Sequence, residues 1–184
     1  MKFRSSDLSL KLFFALIIAA VLLTLFLYDA GYYLAGSGLG YEMEFELLGV
    51  RAVENYESEY DRVFMASGSL IALAFQMLLF YAIIFLSGSR YLLGFLFFPP
   101  VYRMFPYLIG LLNHDIIINQ SEYLLSSYYG LPFWLMPGGM LLLFAALTVH
   151  ARVKTGLSWK RFFQGILFSL LTAVMLMLGI NILR

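Results

Sequence analysis

Cysteine is absent from this chain of 184 residues, and the only histidines are His114 and His150. Without cysteine the protein has no disulfide, no thiolate nucleophile and no sulfur ligand for a zinc ion or an iron–sulfur cluster. Two histidines are too few for a haem or multi-histidine metal site built by this chain alone. We therefore expect neither a metal nor a cofactor.

Charged residues are also scarce: they make up 12% of the chain, whereas hydrophobic residues make up 62%. Soluble domains contain roughly 25% charged and about 45–50% apolar residues. A water-soluble protein of this length has too little interior to cover so much apolar surface, so we expect the surplus to face a lipid bilayer. The net charge of +1 gives no reason to expect a nucleic-acid partner.

Five stretches are long and apolar enough to be membrane-spanning helices, since a hydrocarbon core of about 30 Å needs roughly 20 helical residues. The first is longer than the apolar core of a typical signal peptide and lacks a clear cleavage site, so we expect it to be retained. The sequence thus predicts an all-α, polytopic membrane protein with a single transmembrane domain over 1–184. The predicted spans are 12–34, 66–86, 91–112, 131–149 and 162–183.

Basic residues are concentrated in three segments that fall on one side of the membrane if the chain crosses it five times. These are the N-terminus, the loop after the second span and the loop after the fourth span, which contains Arg152, Lys154, Lys160 and Arg161. Lysine and arginine are enriched in cytoplasmic loops. We therefore expect a cytosolic N-terminus, an outside C-terminus and an acidic outer segment over 36–65, in a plasma or inner membrane.

Pro99 and Pro100 interrupt the third stretch and indicate either a kinked span or a re-entrant segment. A re-entrant segment would leave four spans and would place the basic loop 152–161 outside. Because that placement contradicts the preference of basic loops for the cytosol, we favour a kinked span.

Two charged residues, Asp29 and Arg103, lie within the first and third apolar stretches. An intramembrane charge is costly unless it is paired, hydrated or able to reach the headgroups. Both residues fall in the outer half of their spans, and the length of an arginine side chain permits an Asp29–Arg103 pair. Such a pair beside a proline-broken helix would form a substrate or ion site. The alternatives are a purely structural pair and an Arg103 that reaches outward to headgroups.

The fourth stretch contains Pro137, Gly138 and Gly139, which we expect to loosen its backbone. Discontinuous helices line the substrate sites of some transporters. We therefore group these three residues with Pro99 and Pro100 in the same candidate substrate or ion site. The alternative is a kink with a close helix contact through the two glycines, since both residue types are common in membrane helices.

His114, Asp115 and Glu122 form a candidate polar cluster at the outer face. A histidine beside carboxylates is able to bind a metal or relay a proton, which would suit an enzyme that acts on lipid. Adjacent residues on a helix do not face each other, however, so such a site needs ligands from elsewhere in the chain.

The outer segment combines two patterns. Glu42, Glu44 and Glu46 alternate with apolar residues, which is typical of a half-covered strand, whereas the spacing over 54–62 favours a short amphipathic helix. The seven acidic residues between Glu42 and Asp61 favour a basic partner or cations outside the membrane.

Small residues recur at four-residue spacing in two of the predicted spans, where they permit close approach of neighbouring helices. We expect these positions to be helix-packing faces, within this chain or against a partner. They are Ala15 and Ala19 in the first span and Gly165, Ser169 and Ala173 in the fifth.

No catalytic pattern emerges from these residues. The paired aspartates of lipoprotein signal peptidases, the serine–histidine pattern of rhomboid-like proteases and the histidine boxes of desaturases are all missing. We therefore expect a non-enzymatic, multi-pass protein that is a subunit or accessory protein of a membrane complex. The alternative is a small transporter or substrate-binding component with a site near Arg103 and Asp29.

Overall fold

α-Helices make up most of the computed structural model, which describes residues 9–46, 49–110, 114–118 and 120–182. A 3-10 turn, Tyr91–Leu93, leads directly into the third helix. Two antiparallel strands, β1 (Met43–Glu46) and β2 (Gly49–Ala52), lie between the first two helices. The helical fold class is confirmed. The helices are α1 (Leu10–Gly38), α2 (Glu59–Ser87), α3 (Gly94–Gly110), α4 (His114–Ile118), α5 (Ser121–Tyr128), α6 (Leu135–Thr155) and α7 (Trp159–Ile182).

Three helices in the described part of the chain, α1, α2 and α6, are long and apolar enough to cross a membrane. Only 28%, 33% and 17% of the residues in their most apolar windows are buried inside the protein. The remaining apolar side chains need a cover other than this chain, and the hydrocarbon core of a bilayer provides one. The expectation of an integral membrane protein is consistent with these three helices.

Gly31 of α1 and Gly68 of α2 bring the backbones of the two helices into contact. A Cβ atom added to either glycine would overlap the carbonyl oxygen of the other. Lipid tails are as apolar as the side chains they contact, so membrane helices associate mainly through such close packing. This crossing fixes the position of α1 against α2.

Pro99 and Pro100 lie inside α3, which continues as a helix to Gly110. Proline has no N–H group, so the carbonyl oxygen four residues earlier loses its helical donor. The two affected carbonyls are those of Phe95 and Leu96. In a hydrocarbon environment an unpaired carbonyl costs several kcal/mol, and each therefore needs a donor from a neighbouring helix.

Neighbouring helices supply both donors. Gln76 of α2 donates from Nε2 to the Phe95 carbonyl at 3.4 Å. The Thr148 hydroxyl of α6 is shared between the Leu96 carbonyl at 2.9 Å and the Phe144 carbonyl of its own helix at 2.7 Å. Gln76 Nε2 also donates to Thr24 Oγ1 of α1 at 2.8 Å. The prolines thus place α3 at the centre of the protein, in contact with side chains from α2 and α6 and, through Gln76, with α1.

Three chain segments meet at one end of the helices. The Ser9 N–H, at the start of α1, donates to the Tyr91 hydroxyl before α3 at 3.1 Å. Arg90 Nε, in the turn between α2 and α3, donates to the Thr155 carbonyl at the end of α6 at 2.9 Å. The turn after α2, which contains Arg90, and the end of α6, whose last turn contains Arg152 and Lys154, therefore lie close to the start of α1.

The helix expected over 54–62 is present only from Glu59, where α2 begins, and residues 53–58 are not helical. Ser58 Oγ accepts a hydrogen bond from the Asp61 N–H at 3.2 Å, and acidic residues occupy the first turn of the helix. A capping serine followed by acids stabilises a helix start, and this signal outweighs the apolar spacing before it. The strand expected around Glu44 is confirmed as β1.

The break expected within the fourth span is also absent. α6 begins at Leu135, so Pro137 lies in its first turn, where an N–H group has no helical acceptor to lose. The Gly138 N–H donates to the Trp134 carbonyl at 2.8 Å, as in a regular helix. A Cβ atom at Gly138 or Gly139 would meet nothing within 4 Å, so neither glycine mediates a close helix contact.

Replacing Thr148 tests whether side chains satisfy the carbonyls that the prolines leave free. Thr148→Val removes the donor to the Leu96 carbonyl and should lower the free energy of unfolding by about 0.5–1.5 kcal/mol. In a Pro100→Ala background residue 100 regains an N–H group that can donate to the Leu96 carbonyl. Thr148→Val should then lower the free energy of unfolding by a smaller amount. Reversible unfolding in mixed micelles measures both differences.

Thr172→Val is the matched control, because among the described residues the Thr172 hydroxyl donates to the Phe168 carbonyl of its own helix and to no other helix. Its cost should be small and should be the same in both backgrounds. If Thr148→Val lowers the free energy of unfolding equally in the wild-type and in the Pro100→Ala background, Thr148 is not the donor that replaces the N–H missing at Pro100.

Candidate functional site

Arg103 is buried in α3 and forms an ion pair with Glu122 in the first turn of α5. Arg103 Nε donates to Glu122 Oε1 at 2.6 Å, and a second contact joins Nη2 to Oε2. The two side chains are 4% and 0% exposed. Gln120 Oε1 accepts from Nη2 at 3.3 Å, and the Tyr107 hydroxyl donates to Glu122 Oε2 at 3.3 Å. Two-point pairing with further hydrogen bonds is what a buried ion pair needs to be stable.

Two aromatic rings complete this set of contacts. The Arg103 guanidinium carbon lies 5.0 Å from the ring centroid of Tyr28 and 5.6 Å from that of Tyr102, within the range of cation–π attraction. The Tyr28 and Ser121 hydroxyls are hydrogen-bonded at 2.8 Å, which links α1 to α5. We call these six residues the arginine cluster: Arg103, Glu122, Gln120, Tyr107, Tyr28 and Tyr102.

Asp29 is not the partner of Arg103, since no ion pair within 4.0 Å joins them in the described structure. One feature of the sequence points to Glu122. A buried arginine needs an acidic partner, and the only acidic residues in the sequence from 113 to 130 are Asp115 and Glu122. That signal was missed because this polar stretch was expected to lie wholly outside the membrane. Instead, α5 packs against α2 and α6 and carries its acid inward.

Asp29 faces a different feature, a polar cavity of about 420 Å³ that we call the outer cavity. Two residues of β2, Gly49 and Val50, contribute to its wall, so the hairpin partly covers it. Tyr28 and Tyr102 line this cavity and also contact Arg103, so the cavity borders the arginine cluster. Its polar lining includes Asp29, Arg62, Tyr28, Tyr32, Tyr56 and Tyr102.

A smaller cleft of about 220 Å³ borders the arginine cluster between α3, α5 and the start of α6. Pro137 and Gly138 line it together with Arg103 and Glu122, so the structure brings together part of the predicted substrate or ion site. Pro99, Pro100 and Gly139 are not among the lining residues. The Arg103 charge is already neutralised by Glu122, and this cleft therefore offers no free charge from that pair.

The predicted outer-face cluster is described only in part. His114 and Asp115 belong to α4, but their side chains lie outside the described residues. Glu122 is wholly buried in the arginine cluster. Among the residues that the structure describes, no group of three or more His, Cys, Asp or Glu side chains is placed to hold a metal ion.

The predicted packing residues lie on two different kinds of surface. Gly165, Ser169 and Ala173 are buried on α7, and a Cβ atom on Gly165 would overlap an aromatic ring of α3. Ala15 and Ala19 are exposed on the outward side of α1. The α7 residues therefore pack within this chain, whereas the α1 residues are left for lipid or another protein.

The acidic outer segment partly neutralises itself. Arg51 of β2 forms ion pairs with Glu46 at 2.7 Å and with Glu44 at 3.4 Å, both solvent-exposed. Tyr41 accepts a hydrogen bond from the Glu57 N–H and donates one to Asp61 Oδ2. The Glu57 N–H acts to lower the pKa of Tyr41, but desolvation and the Asp61 carboxylate together raise this pKa above its ordinary value.

Comparisons of this chain with protein-family models, with curated proteins and with solved structures find no match. Its function is therefore argued from its own residues.

Removing one member of the buried ion pair should strongly destabilise the protein. Arg103→Met leaves Glu122 without a counter-charge and should lower the free energy of unfolding by about 3–5 kcal/mol. The double variant Arg103→Met/Glu122→Gln buries no charge and should regain a large part of that loss. Denaturation in mild detergent measures each variant.

Glu44→Gln is the control, because it removes an exposed ion pair and should change stability by less than about 1 kcal/mol. If the stability losses caused by Arg103→Met alone and by Glu122→Gln alone simply add in the double variant, Arg103 and Glu122 do not act as a pair.

Proposed function

We propose that this protein is a non-enzymatic, multi-pass subunit or accessory protein of a complex in a plasma or inner membrane. The features that first favoured a transport site have structural roles in this chain. Arg103 is paired with Glu122, the carbonyls freed by Pro99 and Pro100 have donors, and Pro137 begins a helix. These roles weaken a transporter site centred on Arg103 and favour a protein that works through its surface.

The observation that carries this proposal is the outward face of α1. Leu12, Leu22 and Phe26 are 49%, 50% and 60% exposed, and Ala15 and Ala19 are exposed between them. Positions three or four apart share one side of a helix, so these residues form a continuous apolar face. Small residues in the middle of such a face permit another helix to approach closely, whereas they offer no particular advantage against lipid. A helix of another membrane protein is the occupant that best fits this face.

Photo-crosslinking in cells tests this interface directly. A crosslinking residue at position 15 or 19 should give a discrete crosslinked product with another membrane protein, and the same residue at exposed Ala82 of α2 should not. The double variant Ala15→Leu/Ala19→Leu should lose at least about half of the co-purified partner, because added bulk keeps the partner backbone away.

The matched control is Ala82→Leu/Ala146→Leu, which adds the same bulk at exposed alanines of α2 and α6. It should leave the partner bound. The proposal fails if the wild-type protein, extracted in a lipid-preserving system, carries no other membrane protein in stoichiometric amount.

The proposal includes five spans, formed by α1, α2, α3, α6 and α7. It is supported by the contacts that place the start of α1, the turn at Arg90 and the end of α6 at one end of the helices. Arg152, Lys154, Lys160 and Arg161 belong to this same end, and basic residues favour the cytosol. The hairpin, α4 and α5 then lie outside.

Fusion of a topology reporter after Arg184 tests the orientation, since five spans place this terminus outside. A reporter inserted at Gly156, between α6 and α7, should be cytosolic. A cytosolic signal from both fusions would leave an even number of spans after the N-terminus and would contradict the proposal.

A further inference from the structure

Asp29 and Arg62 line the outer cavity from two different helices, α1 and α2, and carry opposite charges. Among the described residues, Asp29 has no basic partner within 4.0 Å. Asp29 is also partly buried. A partly buried carboxylate without a cation costs free energy, which a positively charged group inside the cavity would recover.

The rings of Tyr32 and Tyr56 line the cavity together with Asp29. Tyr32 lies three residues further along α1, so its side chain shares the cavity-facing side of the helix with Asp29. The Tyr32 and Tyr56 hydroxyls are hydrogen-bonded at 2.8 Å, and Tyr56 belongs to the non-helical segment before α2. This bond holds an aromatic wall across the cavity. The faces of aromatic rings attract cations, ammonium groups in particular.

The size and place of the cavity restrict its ligand. About 420 Å³ lies within the range of roughly 300–1,000 Å³ that is usual for small-molecule sites. The hairpin that covers the cavity lies beyond the apolar parts of α1 and α2, at the end where phospholipid headgroups would lie in a bilayer. A ligand of matching chemistry is therefore polar, small and available at a membrane surface.

We propose that the outer cavity binds a zwitterion in which an ammonium group is linked to a phosphate. The ammonium group lies beside Asp29 and Tyr32, and the phosphate lies toward Arg62, whose guanidinium group is suited to phosphate oxygens. A zwitterionic phospholipid headgroup and a free phosphoammonium solute share this chemistry. The inference is independent of the partner proposed for α1, because Ala15 and Ala19 face outward, away from the cavity.

Native mass spectrometry of the purified full chain, delipidated in a non-zwitterionic detergent, tests the proposal. The probes are short-chain phosphatidylethanolamine, phosphatidylglycerol with the same chains, and water-soluble phosphoethanolamine. One phosphatidylethanolamine should bind per chain, about tenfold more tightly than phosphatidylglycerol. Asp29→Asn should abolish this preference, because the ammonium group loses its counter-charge.

The control Glu54→Gln removes an equal charge from an exposed position and should keep the preference. Asp29 has no ion pair with another described residue, so Asp29→Asn should leave the melting temperature unchanged or raise it. Lost binding then reports on the ligand and not on the fold. Tyr56→Leu, in an exposed segment, is a second variant that removes part of the aromatic wall and should weaken phosphatidylethanolamine binding about threefold or more.

Competition separates the two sources of the ligand. If phosphoethanolamine displaces the short-chain lipid at equal concentration, the site recognises the free solute; if only the lipid competes, the site recognises a membrane headgroup. Equal binding of the two lipids, or a preference that survives Asp29→Asn, would overturn the proposal. Neither of these results would affect the interface at Ala15 and Ala19.

Discussion

The satisfaction of backbone carbonyls in α3 is the constraint on which the rest of this structure depends. Two consecutive prolines remove two helical donors where the preceding residues of α3, Phe95 to Phe98, are buried from water. The donors must then come from neighbouring helices, and Gln76 and Thr148 provide them. Because one donor lies on α2 and the other on α6, both helices are held against α3 at a defined depth. Gln76 also reaches Thr24, so the same contacts position α1.

With α3 fixed in this way, Arg103 has little freedom. It lies one helical turn beyond the prolines and is covered by Tyr28 of α1 and Tyr102 of its own helix. Such a buried cation needs an anion within reach, and α5 brings Glu122 to it. The polar segment after α3 is therefore part of the helical core. The pair lines the smaller cleft but not the outer cavity, whose charged lining residues in the described structure are Asp29 and Arg62.

Much of this architecture could be predicted from the sequence, because apolar length and small-residue spacing are local properties. The helices around residues 12–34 and 66–86 and the strand near Glu44 follow from such patterns. Contacts between residues that are distant in the sequence do not follow from local patterns. Nothing local distinguishes Glu122 from Asp29 as the partner of Arg103, because the choice depends on α5 folding inward. Similarly, Pro137 looks like a helix breaker until the start of α6 at Leu135 is known.

α1 links the two surfaces to which function is assigned. In its C-terminal half, Asp29 and Tyr32 face the cavity, while in its N-terminal half Ala15 and Ala19 face away from the protein. The contact between Gly31 and Gly68 holds the C-terminal half of α1 tightly against α2, which carries Arg62. Bulk introduced at Ala15 should therefore leave the outer cavity intact, and neutralisation of Asp29 should leave the outward face intact. This separation is why the loss of a partner and the loss of a ligand can be measured as independent effects in one chain.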